Sequence, residues 1–258
     1  MYMDNFATKL CSAPKDSAYL FYAGQAGFIF KSASGQTLAV DLYLSNCGER
    51  IEGHIGFKRL FPSILSPQDI VFDYIVATHF HFDHFDIDSI PTMMSNTQTR
   101  LFAAKDCIDF IQQANLDKNR VCYVSPSESY RAGDYTLHFV NCDHGILAPE
   151  AVGVIIEVFG KRILIAGDTC LRLDWKEHYL SKGLIDIMIA PINGAYGNLN
   201  ESDCVELSKA LSPQLTIPCH YGLFATHKGL PGLFIEEMGA QCPKNQYMLM
   251  TVGECLKL

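Results

Sequence analysis

Apolar residues along this chain come in short blocks separated by Gly, Ser, Asn and Asp clusters, a rhythm that predicts many short strands with helices between them. Three β runs open it, "SAYLFYAG", "AGFIFKSASG" and "QTLAVDLYL", whose Gly/Ser breaks read as hairpin turns of an antiparallel meander. Residues 45–69 show no clean period and read as a long functional connection. A strand "FDYIVAT", a short strand "RLFAA" and a helix over "KDCIDFIQQANL" follow, the helix marked by Cys107, Ile108, Phe110 and Ile111 near helical spacing. The second half repeats the style in "RVCYVS", "DYTLHFVNC", "GVIIEVFG" and "KRILIAGDT", with a hairpin tip expected at Gly160-Lys161. "IDIMIAPI" is nearly all apolar, as a strand covered on both faces should be. "NESDCVELSKALS" and "GLFIEEMGA" read as helices, the first capped by Asn200 or Ser202, and "QLTIPCHYG" as another strand between them. No linker or low-complexity tract interrupts the 258 residues, so the pattern predicts one α/β domain over 1–258, sheets packed together with helices outside.

Chemistry gathers where four apolar strands end. His79, His81, Asp83 and His84 follow "YIVAT"; His144 follows "LHFVNCD"; Asp168 follows "ILIAG"; His220 follows "LTIPC". Strand ends at one sheet edge share a rim, so side chains distant in sequence can converge there. In an extended segment residues two apart point the same way, so His79 and His81 can grip one ion together. Asp83 and His84, past the bend, can face a neighbouring ion, and imidazole with carboxylate suits zinc, manganese or iron. Taken singly, His144 could be a capping residue, Asp168 ordinary Gly-Asp turn chemistry and His220 a satisfied core ring. The repeated strand-end context raises all three together. His138, inside a strand, and His178, on a helix, read as structural.

Composition narrows the partners. The formal charge of −8 opposes general nucleic-acid binding, because such affinity comes mostly from neutralising phosphates. Hydrophobic residues at 48% against 19% charged indicate a globular chain. The ten cysteines include no CxxC pair and read as reduced. "MYMDNFATKL" lacks the apolar core of a secretory signal, and no apolar run reaches a membrane-span length, so a soluble cytoplasmic protein is expected. Self-association, as a homo-oligomer, is left open.

The motif HxHxDH followed by His, Asp and His resembles the metallo-β-lactamase superfamily, in order and spacing, from the "AVDLYL" aspartate to "PCHYG". The segments "VDLYLSN", "FKRL", "THFHFDHFD" and "APINGAYGNLNESDCVEL" are most similar to its branch of ascorbate-6-phosphate lactonase and related uncharacterised metal-dependent hydrolases. The resemblance implies an αββα four-layer sandwich with a site for two divalent metal ions, Zn, Mn or Fe, along the sheet edges. By position it implies His79, His81 and His144 as ligands of the first ion. Asp83, His84 and His220 would then hold the second, with Asp168 bridging and Asp41 orienting the ligands.

Such an ion pair would lower the pKa of a shared water and supply hydroxide for hydrolysis without a Ser or Cys nucleophile. A bound water, Asp83 or Tyr221 are the candidate proton donors. Asn193, Tyr196 and Asn198 in "NGAYGNLN" could hydrogen-bond a polar substrate. Arg50, Lys58 and Arg59, with His227 and Lys228 in "FATHKGLPG", place positive charge where an anionic ester, lactone or phosphoester could bind. Three rivals stand beside that small-molecule hydrolase: a nucleic-acid-processing nuclease of the same fold, a di-iron oxidoreductase, and a non-catalytic metal-binding module. The acidic balance weighs against the first. The second typically has Glu where His81 stands and carries an added flavodoxin domain.

Overall fold

The computed structural model describes residues 5–258 and contains two seven-stranded mixed sheets. The first sheet is built from β1 (Tyr19–Gly24), β2 (Gly27–Lys31), β3 (Thr37–Val40), β4 (Tyr74–Ala77), β5 (Arg100–Ala104) and β6 (Val121–Val124). The second contains β7 (Ser129–Ala132), β8 (Tyr135–Asn141), β9 (Val152–Val158), β10 (Lys161–Ile165), β11 (Ile187–Pro191), β12 (Leu215–Cys219) and β13 (Gln246–Tyr247). The last strand, β14 (Cys255–Lys257), returns to pair with β1 at the edge of the first sheet. Each sheet starts as an antiparallel meander and continues in parallel strands: β1 to β3 and then β4 to β6, β7 to β10 and then β11 to β13. This is the expected αββα sandwich of mixed sheets and helices.

Burial follows the sequence pattern. In β11 the alternation sends Ile187 and Ile189 into the core between the sheets, and Met188 and Ala190 toward the helices outside. That outer layer is α5 (Lys176–Leu180), α6 (Glu201–Leu211) and α7 (Pro231–Gln241), which contribute Tyr179, Val205, Leu207, Phe234 and Met238. α6 begins with a capping box: Asn200 accepts from the Asp203 amide, and Asp203 accepts from the Asn200 amide. On the first sheet's side, α1 (Phe6–Ser12), α3 (Ser89–Met93) and α4 (Ile108–Gln113) join the core through Phe6, Leu10, Ile90, Met93 and Ile111. The sheets are tied across the core by Tyr135, whose hydroxyl donates to the Gln36 carbonyl at 2.7 Å.

Three local readings need correction. The β9–β10 hairpin pairs Lys161 with Val158, so its tip is Phe159-Gly160, both at positive φ, and Lys161 already belongs to β10. The stretch 45–69 is only partly irregular, for it contains α2 (Cys47–Glu52) and a following 3-10 turn over Gly53–Ile55. The edge strand β7 has exposed Ser129 and Arg131 and too few apolar residues to announce itself. The ten cysteines are free thiols, with Cys11 exposed and Cys204 and Cys219 buried. Among the described residues, no helix is long and apolar enough to cross a membrane.

One carboxyl at the end of β5 works against the fold. Burial pushes Asp106 up to about 6, and its Oδ2 is buried without a hydrogen-bond partner. A carboxyl that holds its proton more tightly folded than unfolded stabilises below the unfolded value near 3.9, and that contribution is lost as pH rises through the folded value. Asp106→Asn is therefore expected to raise stability at pH 7 by about 1 kcal/mol, after allowance for the site's partial exposure. Urea midpoints measured at pH 7 and pH 4 check this, since the gain should vanish at the lower pH.

Candidate metal centre

The sheet topology brings the strand ends together. Asp41 follows β3, His79 follows β4, His144 follows β8, Asp168 follows β10 and His220 follows β12. Two backbone bonds close this rim between the sheets: the His220 amide donates to the Gln25 carbonyl at 2.9 Å, and the Val152 amide to the Thr78 carbonyl at 3.0 Å. Four residues there, Gln25, Asp41, Tyr196 and His220, have positive φ without being glycine. Such strain persists where the surroundings over-determine it, and it concentrates at functional sites.

All seven sequence-derived donors converge, in two neighbouring groups. In the first, His81 Nδ1 lies 3.0 Å from His79 Nε2 and 3.2 Å from His144 Nε2. Burial holds all three rings below the ordinary imidazole range, His144 at about 4, so they present lone pairs and not charge. With the rings neutral, nitrogens this close need either a ring N–H or a bound cation between them. Their spacing suits ligands of one ion, since bonds of 2.0–2.1 Å at tetrahedral angles separate donors by roughly 3.3 Å.

In the second group, His84 Nε2 is 3.2 Å from His220 Nε2 and 3.3 Å from Asp168 Oδ1. His220 Nε2 is 3.2 Å from the same Asp168 oxygen and 3.3 Å from Asp83 Oδ2. Asp168 turns its other oxygen toward the first group, with Oδ2 3.9 Å from His144 Nε2. Burial alone would discharge these groups, and their mutual attraction outweighs it. Asp168, Asp41 and Asp83 hold His84 well above its ordinary value, and Asp168 and Asp83 raise His220 to about 9. The same rings keep Asp83 and Asp168 ionised far below the usual carboxylate range. Protons on the rings thus balance the buried carboxylates, and a divalent cation among the same oxygens and nitrogens would balance them equally well. The donor set fits metal.

A supporting layer fixes these groups. Asp41 Oδ2 accepts from the Thr78 hydroxyl at 2.7 Å and lies 2.8 Å from His84 Nδ1, while Oδ1 accepts from the Thr78 amide at 2.8 Å. Asn198 Nδ2 donates to Asp168 Oδ2 at 2.8 Å and to Asn193 Oδ1 at 3.2 Å. Gln25 Nε2 donates to Asp83 Oδ2 at 2.9 Å and lies 2.9 Å from His227 Nδ1. Neither Gln25 nor Thr78 stands out in the sequence: a glutamine between two turn glycines and a threonine at a strand end look like ordinary loop chemistry.

The other sequence-derived candidates separate sharply. A cavity of about 160 Å³ opens over the donors, and Tyr196 and His227 line it. His227 brings no positive charge, because burial takes it down to about 4. Its ring stacks on His220 at 4.9 Å, and with Asp83 and His220 it forms a further set of donor atoms within 4.8 Å of one another. Asn193 and Asn198 are buried behind Asp168 and brace it, so they do not meet a ligand in the cavity. Arg50 is paired with Asp88, and Lys58 lies 3.4 Å from Glu49. Arg59 donates to the carbonyls of Tyr43 and Ser45 and covers the Tyr43 ring. Lys228 is exposed, and neither it nor those three cations line the cavity. Tyr221, the candidate proton donor beside His220, packs against the helical layer and does not line the cavity. His138 and His178 are structural as expected, one bonded to Ser129 and the other accepting the Asn141 amide.

Comparison with known proteins agrees with this architecture. The family model described as beta-lactamase superfamily domain matches residues 19–220. A metal-dependent hydrolase of Enterococcus faecalis is 29% identical over 184 residues, 67% of this chain and 79% of its own. A Shigella boydii protein bearing the name probable L-ascorbate-6-phosphate lactonase is 21% identical over 82% of this chain and 72% of its own. Among solved structures, a metallo hydrolase of Ignicoccus hospitalis superposes with a TM-score of 0.72 at 21% identity, covering 94% of this chain and 98% of its own.

Proposed function

The chain belongs to the beta-lactamase superfamily, and from that premise we propose that it is a metal-dependent hydrolase holding two divalent ions and cleaving an ester, lactone or phosphoester bond in a small molecule. The observation that carries this reading is Asp168, whose two oxygens reach the two donor groups separately. His79, His81 and His144 would hold one ion, Asp83, His84 and His220 the other, with Asp168 between. Zinc, manganese and iron all suit such nitrogen and oxygen donors. Bound together, the two ions would lower the pKa of a shared water and polarise the oxygen of the bond under attack.

The chain's own residues supply orientation and proton control. Gln25 donates to Asp83 and fixes its Oδ2. With Gln25's second amide hydrogen on His227 Nδ1, the neutral ring keeps its proton on Nε2 and offers the cavity wall an N–H donor for a leaving group. Asn198 holds Asp168 Oδ2 from behind, away from the cavity. The nuclease rival finds no support in the cavity wall, which includes neither Lys nor Arg among the described residues.

The test is a panel of simple esters, lactones and phosphodiesters offered to protein loaded with zinc, manganese or iron. Hydrolysis should disappear on chelation and return when the ion is restored. Full metal occupancy without turnover of any class would leave the non-catalytic metal-binding module as the better reading.

A further inference from the structure

The cavity over the donors has a second character, set by the wall facing the metal-ligand side. Ile55, Phe57, Phe82, Leu147 and Tyr196 line it, and outside the donor cluster its charged residue is Glu52. Of the cations expected from sequence to greet an anion, Arg50, Lys58 and Arg59 are engaged elsewhere, and Lys228 does not line the cavity. We propose that this site selects a substrate whose body beyond the bond to be cleaved is uncharged, apolar and ring-sized, an inference about substrate class that rests on the hydrolase reading.

Size and chemistry agree. The cavity of about 160 Å³ compares with the roughly 150 Å³ of a dry apolar cavity that holds benzene. Phe57 packs edge-on to Phe82 at 5.1 Å and tilted against Tyr196 at 5.6 Å, so the wall is one aromatic surface. Phe57 also meets the His227 ring edge-on at 5.4 Å, which joins that surface to the donor cluster. Apolar surface continues outward from the mouth. Ile55 is 47% exposed, Leu147 44% and Tyr196 45%, and Ile146 beside Leu147 stands almost wholly in solvent. An anionic body entering here would lose its hydration against rings and aliphatic carbons, meet the Glu52 carboxylate, and find no counter-charge on the wall.

The wall is held, not draped. A Cβ on Gly48 would stand 2.5 Å from the Phe82 ring, so only glycine lets α2 pass so close. Arg59 anchors the far end of the segment on the Tyr43 and Ser45 carbonyls, and the Leu60 amide donates to the Leu223 carbonyl at 2.8 Å. Phe57 is thereby fixed between two tethers, over the Phe224 ring at 5.4 Å. A preformed apolar wall discriminates by desolvation without needing closure.

The experiment uses matched ligands differing in a remote charge. Zinc-loaded protein is given phenyl acetate, 4-acetoxybenzenesulfonate and the 4-trimethylammonio analogue as substrates. Their non-hydrolysed amide counterparts are titrated calorimetrically into the same preparation. The uncharged member should lead by at least tenfold both in kcat/KM and in affinity. Leu147→Lys, at a half-exposed position, should narrow the gap to the sulfonate at least tenfold. Absence of turnover with the affinity order intact would sink the hydrolase reading and leave the wall's selectivity supported. Turnover or binding that favours either charged member, or no measurable binding of the uncharged amide, overturns the inference.

Discussion

Asp168→Ala should abolish hydrolysis and lower bound metal to one ion or fewer per chain. This carboxylate contacts both donor groups, with Oδ1 3.3 Å from His84 Nε2 and 3.2 Å from His220 Nε2, and Oδ2 3.9 Å from His144 Nε2. No neighbouring oxygen does the same. On the proposed reading, removing it would take one ligand from each ion and leave His84 and His220 without the carboxylate that draws protons to them. A loss in kcat/KM on the order of 10²–10³ is the least expected, the scale seen when a single electrostatic partner of the reacting centre is deleted. Asp168→Asn keeps the shape and should lose activity nearly as completely, because the amide cannot bridge two cations. Metal content by elemental analysis and turnover, measured on the same preparation, check both variants. Near-normal rates with two ions retained would refute the bridging role.

The second large effect is expected at Asp41, which touches neither the cavity nor, on this account, a metal. Its carboxylate is buried and satisfies the Thr78 amide, the Thr78 hydroxyl and His84 Nδ1 within 2.8 Å. Asp41→Ala strands all three groups in the interior. Breaking a buried charged pair by deleting one partner costs roughly 3–5 kcal/mol. The alanine must also adopt a φ of 49°, a left-handed conformation that Asp and Asn tolerate better. Asp41→Asn should therefore recover part of the stability. It should still bind metal about 10–100-fold more weakly, since His84 loses the group that orients it. Urea unfolding of metal-free protein separates the first effect, and metal titration the second. Equal unfolding midpoints for wild type and Asp41→Ala would show that this network contributes nothing to the fold.

The donors were readable in the sequence because polar side chains recur at or just past the ends of four apolar strands, a repetition that singles out residues ambiguous one at a time. β4, β10, β11 and β12 announce themselves as apolar runs, and the shared rim follows from parallel strands ending together. What stayed hidden depends on partners far along the chain. Arg50 looks like a free cation until α2 brings it against Asp88, 38 residues on. Arg59 looks like an anion-binding group until its guanidinium is seen capping carbonyls 14 and 16 residues back. Asn193 and Asn198 have the right chemistry for a ligand but stand behind Asp168, a matter of which side of a turn they occupy. Phe57 lies in the connection over 45–69 and Phe82 inside the histidine motif, and the sequence gives no sign that the glycine at position 48 leaves room for their pairing above the cavity. α2 escaped because Gly48, Gly53 and Gly56 break the periodicity that marks a helix.

The claim beneath all of this is that two ions sit side by side at the sheet edges, sharing Asp168. A crystal structure of zinc-loaded protein with anomalous scattering recorded at the zinc edge tests it most directly. The account predicts two anomalous peaks, one among His79, His81 and His144 and one among Asp83, His84 and His220, with an Asp168 oxygen on each. A single peak, or a second ion lodged away from Asp168, would contradict it.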